Sequence, residues 1–518
     1  MADQDEAASA TSAPSSSPSD AHSIHALEDH AYPPSVVPTE RELPPLPQAD
    51  HGKQAYLFLL GAFSVETVVW GLPSSYGLFL EHYQREGLSS TGKFKDSGLL
   101  PLVGTVAAGF IYLLGPPVSL LLNPRPRWRI NVIRLGAFIC VLALLLSSFA
   151  KTPWQLLLTQ GLLYSVGGAM AYYSTFYFLS EWFVARRGFA NGVCFAGTAA
   201  GGLVLPFVLE VLLRKWGAER TLQGLALATA LLLGAAVPLI KPRLPLPAKD
   251  VSSGTEKRTD AEVVASTDNV VTGEEAEPDK PERENKPTAK KLFKNGGLWI
   301  FMVANIAQAF AYFASTLYLP SFGSITLNRA HIRLQSIGLS TTSSSALLAC
   351  VNGAAVLSRV ALGVLSDKHS PHYLGFGTML FSSVAVFLVW GLASTSLAPL
   401  LVFALILGLG AGGWTSLYSA IIKSCVENDP SLSSHLFSLI SLTRGLGSLL
   451  SAPVSTALLA HPFPASTSEG AAYGVDKGRW GPLIVFVGGC LAIAAGCEGG
   501  LGVFGRRREN KRARVERA

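Results

Sequence analysis

Stretches of about 20 mostly apolar residues recur along this chain, and each is long enough to cross the hydrocarbon core of a bilayer as a helix. They lie near 55–80, 99–122, 130–150, 154–179, 188–213 and 221–240, then near 298–322, 340–365, 372–394, 397–421, 434–459 and 480–504. No other property restricts the fold so tightly, because a backbone in lipid must satisfy its own polar groups. The expectation is an all-α polytopic membrane protein of twelve transmembrane helices in two six-helix halves, residues 54–240 and 298–505. Between the halves, 241–297 carries Glu274, Glu275, Glu277 and Asp279, then Lys286, Lys290, Lys291 and Lys294. It is too polar to bury a core and reads as a flexible cytosolic linker. Residues 1–53, rich in Ser, Pro, Ala and Asp and without a signal-peptide pattern, read as a disordered cytosolic tail, and 506–518 as a basic one.

Only 15% of the 518 residues are charged, against about 25% in soluble domains. The net charge of +6 argues for lipid rather than nucleic acid, because Lys and Arg flank the spans or crowd between Arg506 and Arg517. Arg125, Arg127, Arg129, Arg186, Arg187, Lys241, Arg243, the linker lysines and the basic tail outweigh Lys93, Lys95, Arg214, Lys215, Arg220, Arg329, Arg333, Lys477 and Arg479 on the opposite loops. Both termini are therefore expected in the cytosol. Cys140, Cys194, Cys350, Cys425, Cys490 and Cys497 sit in or beside apolar segments without metal-ligand spacing. They read as buried thiols, and no metal or cofactor is expected.

One run carries most of the sequence-specific information: Glu181-Trp182-Phe183-Val184-Ala185-Arg186-Arg187-Gly188-Phe189-Ala190-Asn191-Gly192, followed by Gly197, Gly201 and Gly202. It is a short arginine turn between two spans, the second with a glycine face that permits close helix approach. The halves also echo each other, Val166-Gly167-Gly168-Ala169 with Tyr172-Tyr173 matching Ala411-Gly412-Gly413-Trp414 with Tyr418, as transporter repeats do.

The Trp182 to Gly201 string resembles the signature between spans four and five of the monocarboxylate-porter-like branch of the major facilitator superfamily, particularly its fungal members. Asn352-Gly353-Ala354-Ala355-Val356-Leu357-Ser358-Arg359 with Gly363-Val364-Leu365-Ser366-Asp367-Lys368 is similar to that branch's eighth span and following loop. Trp70-Gly71 with Ser75-Tyr76-Gly77-Leu78-Phe79 resembles the end of its first span. The likeness runs from about 54 to 504 and implies the superfamily's fold and transport of a small organic solute. Three departures stand out. The branch's Asp-Gly-Gly start of span one reads His51-Gly52-Lys53 here, without its acid. Ser74 and Ala355 stand where proton-coupled relatives carry a lysine and an aspartate. The loop from Gly115 to Arg127 lacks the superfamily's aspartate, which its second-half copy keeps as Asp367.

A charge inside a span costs at least about 2.5–3.5 kcal/mol on insertion scales and calls for a reason. Glu66 falls near mid-membrane in span one, Arg359 late in span eight and Arg444 about ten residues into span eleven. Arg359 suits bidentate recognition of a carboxylate, the alternative being a structural pair or a cap on helix carbonyls. Glu66 suits a protonatable coupling site, the alternative being a static pair with Arg444 or Arg359; for Arg444 structural pairing is the favoured reading. Asn352, Tyr172 and Trp414 join Arg359 as expected substrate-binding residues; for each of those three, as for Asn305, Gln308 and Tyr173, hydrogen bonding between helices is the favoured alternative. Arg186, Arg187, Gly192 and Asp367 are expected to gate the cytosolic side, although for one of the two arginines a topology signal suffices.

The resulting expectation is a secondary active or facilitative transporter of a small organic solute, an organic anion such as a monocarboxylate, working by alternating access. A proton is the candidate coupling ion, the bilayer is a further partner, and no nucleic acid is expected. Export of a secondary metabolite or larger organic acid competes with that substrate, and a transporter-like solute sensor competes with transport itself. Absent His-box spacing, Asp-rich diphosphate motif, Gly-x-Ser-x-Gly and phosphate loop argue against an enzyme and an ATP-driven pump. The plasma membrane is the expected location, with the vacuole or another internal membrane as the alternative.

Overall fold

The computed structural model describes residues 46–85, 99–244, 296–331, 342–393, 396–426, 430–463, 473 and 475–515. Most of the expected N-terminal tail, most of the linker and the last three residues lie outside that set.

The described residues form helices α1 (Lys53–Arg85), α2 (Leu100–Leu113), α3 (Gly115–Leu122), α4 (Arg129–Ser148), α5 (Pro153–Leu156), α6 (Tyr164–Trp182) and α7 (Arg187–Ala236) in the first half. The second half holds α8 (Gly296–His331), α9 (Thr342–Ser366), α10 (Pro371–Ala385), α11 (Leu397–Gly410), α12 (Tyr418–Val426), α13 (Pro430–Leu459) and α14 (Gly481–Val515). The second span divides into α2 and α3 at Leu114, beside Pro116 and Pro117, because proline lacks the N–H that a continuous helix needs. A π segment, Leu157–Leu163, joins α5 to α6, and a 3-10 segment, Ala411–Leu417, joins α11 to α12. Among the described residues, nine stretches are long and apolar enough to cross a membrane by length and composition. One of them, Arg187–Leu239, is 53 residues long and breaks at Gly217, whose φ of 72° leaves the helical region. A single residue thus separates the fifth and sixth spans, where a short loop is expected from the sequence. The runs 153–182 and 430–459 complete twelve traverses; their Ser and Tyr content keeps them below the hydropathy of the nine.

Glycines set where the helices meet, and α7 uses them on two sides. Gly197 and Gly201 lie against α1, where a Cβ would strike Phe63 O and Thr67 O. Gly188 and Gly192 lie against α9 of the other half, facing the Gly363 and Arg359 backbone. The second seam between halves joins α2 and α13, with Gly445 against Tyr112 and the Gly109 carbonyl. Near one end it is tied by Asn123 to His435 at 2.5 Å and by Ser119 to Ser438.

That end of the bundle carries the arginine turns and is termed the basic end. Two of the expected boundaries shift there. Residues 46–52, assigned from sequence to the tail, dock on the bundle, with Asp50 N donating to Trp182 O at 2.8 Å. The start of the linker is also fastened, by Trp182 Nε1 to Lys241 O at 2.8 Å and Arg243 Nε to Pro47 O at 2.9 Å. The basic tail from 506 continues α14 as helix to Val515.

Candidate solute site and gate

The turn between α6 and α7 presents five of its backbone N–H groups to two carboxylates. Asp50 accepts from Val184 N (3.0 Å), Ala185 N (3.0 Å) and Arg186 N (2.9 Å). Asp367, at the end of α9 in the other half, accepts from Gly188 N at 2.8 Å and Phe189 N at 2.9 Å. Asp367 therefore satisfies orphan donors in the first turn of α7, where the helix dipole favours an anion. Gly188 is required for the approach, since a Cβ there would collide with Gly363 O, Asp367 Oδ1 and Ser366 Oγ. Gly192, one turn on, packs on the Arg359 carbonyl. Arg186 is exposed, and its backbone rather than its side chain makes the described contact. Arg187 is half-buried and bonds through Nε to Phe183 O at 3.5 Å.

Asp50 corrects the expectation that the start of span one has lost its acid. The acid stands one residue before His51, with Asp50 at φ 62° and Gly52 at φ 92° bending the chain so that the carboxylate reaches the turn. Burial alone would raise its pKa, but the N–H bonds from Ala185, Arg186 and Val184 outweigh it and hold the carboxyl below the ordinary aspartate value.

The three intramembrane charges are all nearly sealed, Glu66 at 1%, Arg444 at 3% and Arg359 at 4% exposure. Neither arginine pairs with Glu66, so the static ion pair considered from sequence is not formed. Glu66 Oε2 instead accepts from Thr198 Oγ1 of α7 at 2.7 Å, and Oε1 has no partner. Arg359 donates through Nε to Gly412 O at 2.9 Å and through Nη1 to Phe195 O at 2.6 Å. It thereby ties the 3-10 segment of its own half to α7 of the other. Arg444 donates to Gln308 Oε1 at 2.6 Å and to Tyr112 Oη at 3.2 Å. Its guanidinium lies 5.8, 5.8 and 5.3 Å from the ring centres of Tyr112, Tyr312 and Phe313, within cation–π range.

The remaining expected binding residues are distributed around these charges. Trp414 Nε1 donates to Asn305 Oδ1 at 2.8 Å, the same oxygen that accepts from Tyr418 at 2.5 Å. The Asn305 amide donates to Ile440 O and Thr443 Oγ1, both at 2.8 Å, so it acts between helices. Asn352 bonds its own helix at Leu348 O and packs beside Gly202. Tyr172 reaches Arg444 only through a chain of rings: Trp70 is 5.7 Å from Tyr172 and 4.4 Å from Tyr112.

Phe437 of α13 is a further functional candidate, unmarked by any motif. Its ring lies 4.7 Å from Phe176, 6.0 Å from Tyr173, 6.1 Å from Tyr172 and 6.4 Å from Phe195, all in the first half. Three helices repeat one layered order away from the basic end. It runs Ser433, Phe437, Arg444 on α13; Asn191, Phe195, Thr198 on α7; and Ser180, Phe176, Tyr172 on α6. An aromatic layer thus separates Arg444 and Glu66 from a hydroxyl-lined pocket at the basic end, with Arg359 bonded to the backbone of that layer at Phe195. A lone phenylalanine in a serine-rich helix was the available signal; nothing local connects it to rings some 240 to 265 positions earlier.

A family model of the Major Facilitator Superfamily matches residues 127–452. The MFS transporter asaE of Aspergillus flavus is 24% identical to this chain over 79% of it and 81% of that protein. The Fujikurins efflux protein of Gibberella fujikuroi is 25% identical, over 86% of this chain and 83% of its own. The Aspyridones efflux protein apdF of Emericella nidulans is 22% identical, over 83% and 76%.

Proposed function

The chain belongs to the major facilitator superfamily, and from that premise we propose that it exports an organic anion of the secondary-metabolite class by alternating access. The observation that carries this reading is Arg444. A guanidinium sealed in the membrane interior, held by Gln308 and Tyr112, ringed by three aromatics and without a carboxylate partner among the described residues, is a fixed positive charge awaiting a counter-anion. An aromatic surround favours a solute larger and flatter than a simple short-chain acid. The efflux proteins among its relatives support the outward direction. In this reading Arg444 rather than Arg359 meets the solute, Arg359 holds the seam between halves, and Tyr172 and Trp414 supply walls. Glu66, with Thr198 on one oxygen, is the coupling site if the process is proton-driven.

The plasma membrane follows from export out of the cell, with both termini cytosolic so that the basic end faces in. The two long motifs support placement in the monocarboxylate-porter-like branch, and monocarboxylates belong in any substrate panel. The test is flux of organic acids and their neutral methyl esters in vesicles reconstituted with the protein and lacking ATP. Acids should move and esters should not, and Arg444→Gln should fall to the protein-free background. Equal movement of acid and ester, or wild-type flux by a well-folded Arg444→Gln, rejects the assignment.

A further inference from the structure

The pocket at the basic end is a cleft of about 60 Å³ between the halves that opens to solvent. Its lining combines the rings of Phe176, Tyr177 and Phe437 with serine hydroxyls, Asn191 and Arg187. We propose that it is a second, outer binding site for a flat organic anion, with Arg187 as the recognising charge. The existence of this site does not depend on the reading above; only its role as an anteroom to Arg444 does.

The argument rests on where the nearby negative charges point. Asp50 and Asp367 both flank the turn that carries Arg187, yet each directs its oxygens to backbone N–H groups, Asp50 to three and Asp367 to two. Glu181 is turned to Arg129 at 3.6 Å and to the Arg243 N–H at 3.2 Å. His435, another titratable group near this seam, is bonded to Asn123, and Tyr177 of the lining lies close to the Ser119 carbonyl. Arg187 is left with one hydrogen bond among the described residues, at the 3.5 Å limit. A guanidinium has five donors in a planar fork; the Asp50 charge acts on Arg187 from the turn, but no described carboxylate bonds these donors, which an oxyanion in the pocket would take. The adjoining rings offer faces for a flat apolar body, and the unpartnered Ser419 hydroxyl offers a donor to its oxygens. Phe437 closes the inner end, so a solute seated here would wait one aromatic layer from Arg444.

The test uses the full chain in lipid nanodiscs, its six native cysteines replaced by serine and Ser433→Cys introduced in the pocket. Rates of modification by the anionic sulfonatoethyl and the cationic trimethylammonioethyl methanethiosulfonates are compared with those of a free thiol. The anionic preference should exceed the free-thiol value by about tenfold. It should vanish in Arg187→Gln and persist in Arg187→Lys, and 2-naphthoate should slow the labelling. That protection should survive Arg444→Gln, which separates the pocket from the central charge. If Arg187→Gln does not fold, a preference at or below the free-thiol value in the arginine-bearing chain overturns the proposal. So does an unchanged preference in folded Arg187→Gln, or protection that is absent or disappears with Arg444. Missing flux in the vesicle assay would reject the export reading while leaving these labelling results in force.

Discussion

Asp50 and Asp367 do the same chemistry on neighbouring stretches of one turn, but they come from opposite sides of the seam that the proposed transport cycle would open. Asp50 belongs to the first half and holds Val184 to Arg186 of that half. Asp367 belongs to the second and holds Gly188 and Phe189 across the seam. When two halves rock, contacts within one half persist and contacts between halves must be made and broken each cycle. On the proposed transport cycle Asp50 is a permanent brace for the turn, and Asp367 a latch that closes on it. The latch is also the more exposed of the two carboxylates, which keeps its release cheap.

The strongest way to break this comparison is to block the latch sterically. Gly188→Leu places a side chain on Gly363 O and Asp367 Oδ1, so α7 and α9 cannot close. Flux in vesicles should fall to near background while the protein remains folded, because the brace at Asp50 is untouched. Removing the brace should do the reverse. Asp50→Ala leaves three N–H groups without their charged acceptor and should cost about 2–4 kcal/mol, read as a lower thermal midpoint. Asp367→Asn, which weakens two N–H bonds but keeps an acceptor, should change stability little. It should shift the open-to-closed ratio about fivefold, the equivalent of about 1 kcal/mol.

How far the sequence could lead is visible in these same residues. The spans were legible because apolar length is a local property, and Asp367 and the glycines of α7 because their spacing is a motif. Asp50 carries no such local mark, because its role depends on a positive-φ bend at Asp50 and Gly52 that carries the carboxylate to a turn more than 130 positions later. Charge alone suggests a pair between Glu66 and Arg444 or Arg359. Which partner each takes was decided by Thr198 and Gln308, whose facing is set by the rotation of α7 and α8 rather than by composition. The same holds for Phe437, whose four ring contacts all lie in the other half.

The smallest expected effect concerns pH. The folded Asp50 carboxyl lies below its ordinary value, so the stability it contributes is present above the unfolded pKa, near 3.9, and is lost as pH falls through the depressed value. The gap in thermal midpoint between wild type and Asp50→Ala should stay flat from about pH 8 to pH 5 and close only in stronger acid. A gap that already narrows near pH 6 would mean the brace is not formed as described.

The brace-and-latch distinction is most directly tested by electron–electron distance measurement in a cysteine-free chain. One pair of spin labels sits at Val184 and His369, across the seam, and the other at Leu46 and Val184, within the first half; all three positions are exposed. The cross-seam pair should give two distances, with the longer population enlarged in Asp367→Asn, while the Leu46–Val184 distance stays single and unchanged. A cross-seam distance that is single in both proteins, or a within-half distance that broadens alongside it, would contradict the account.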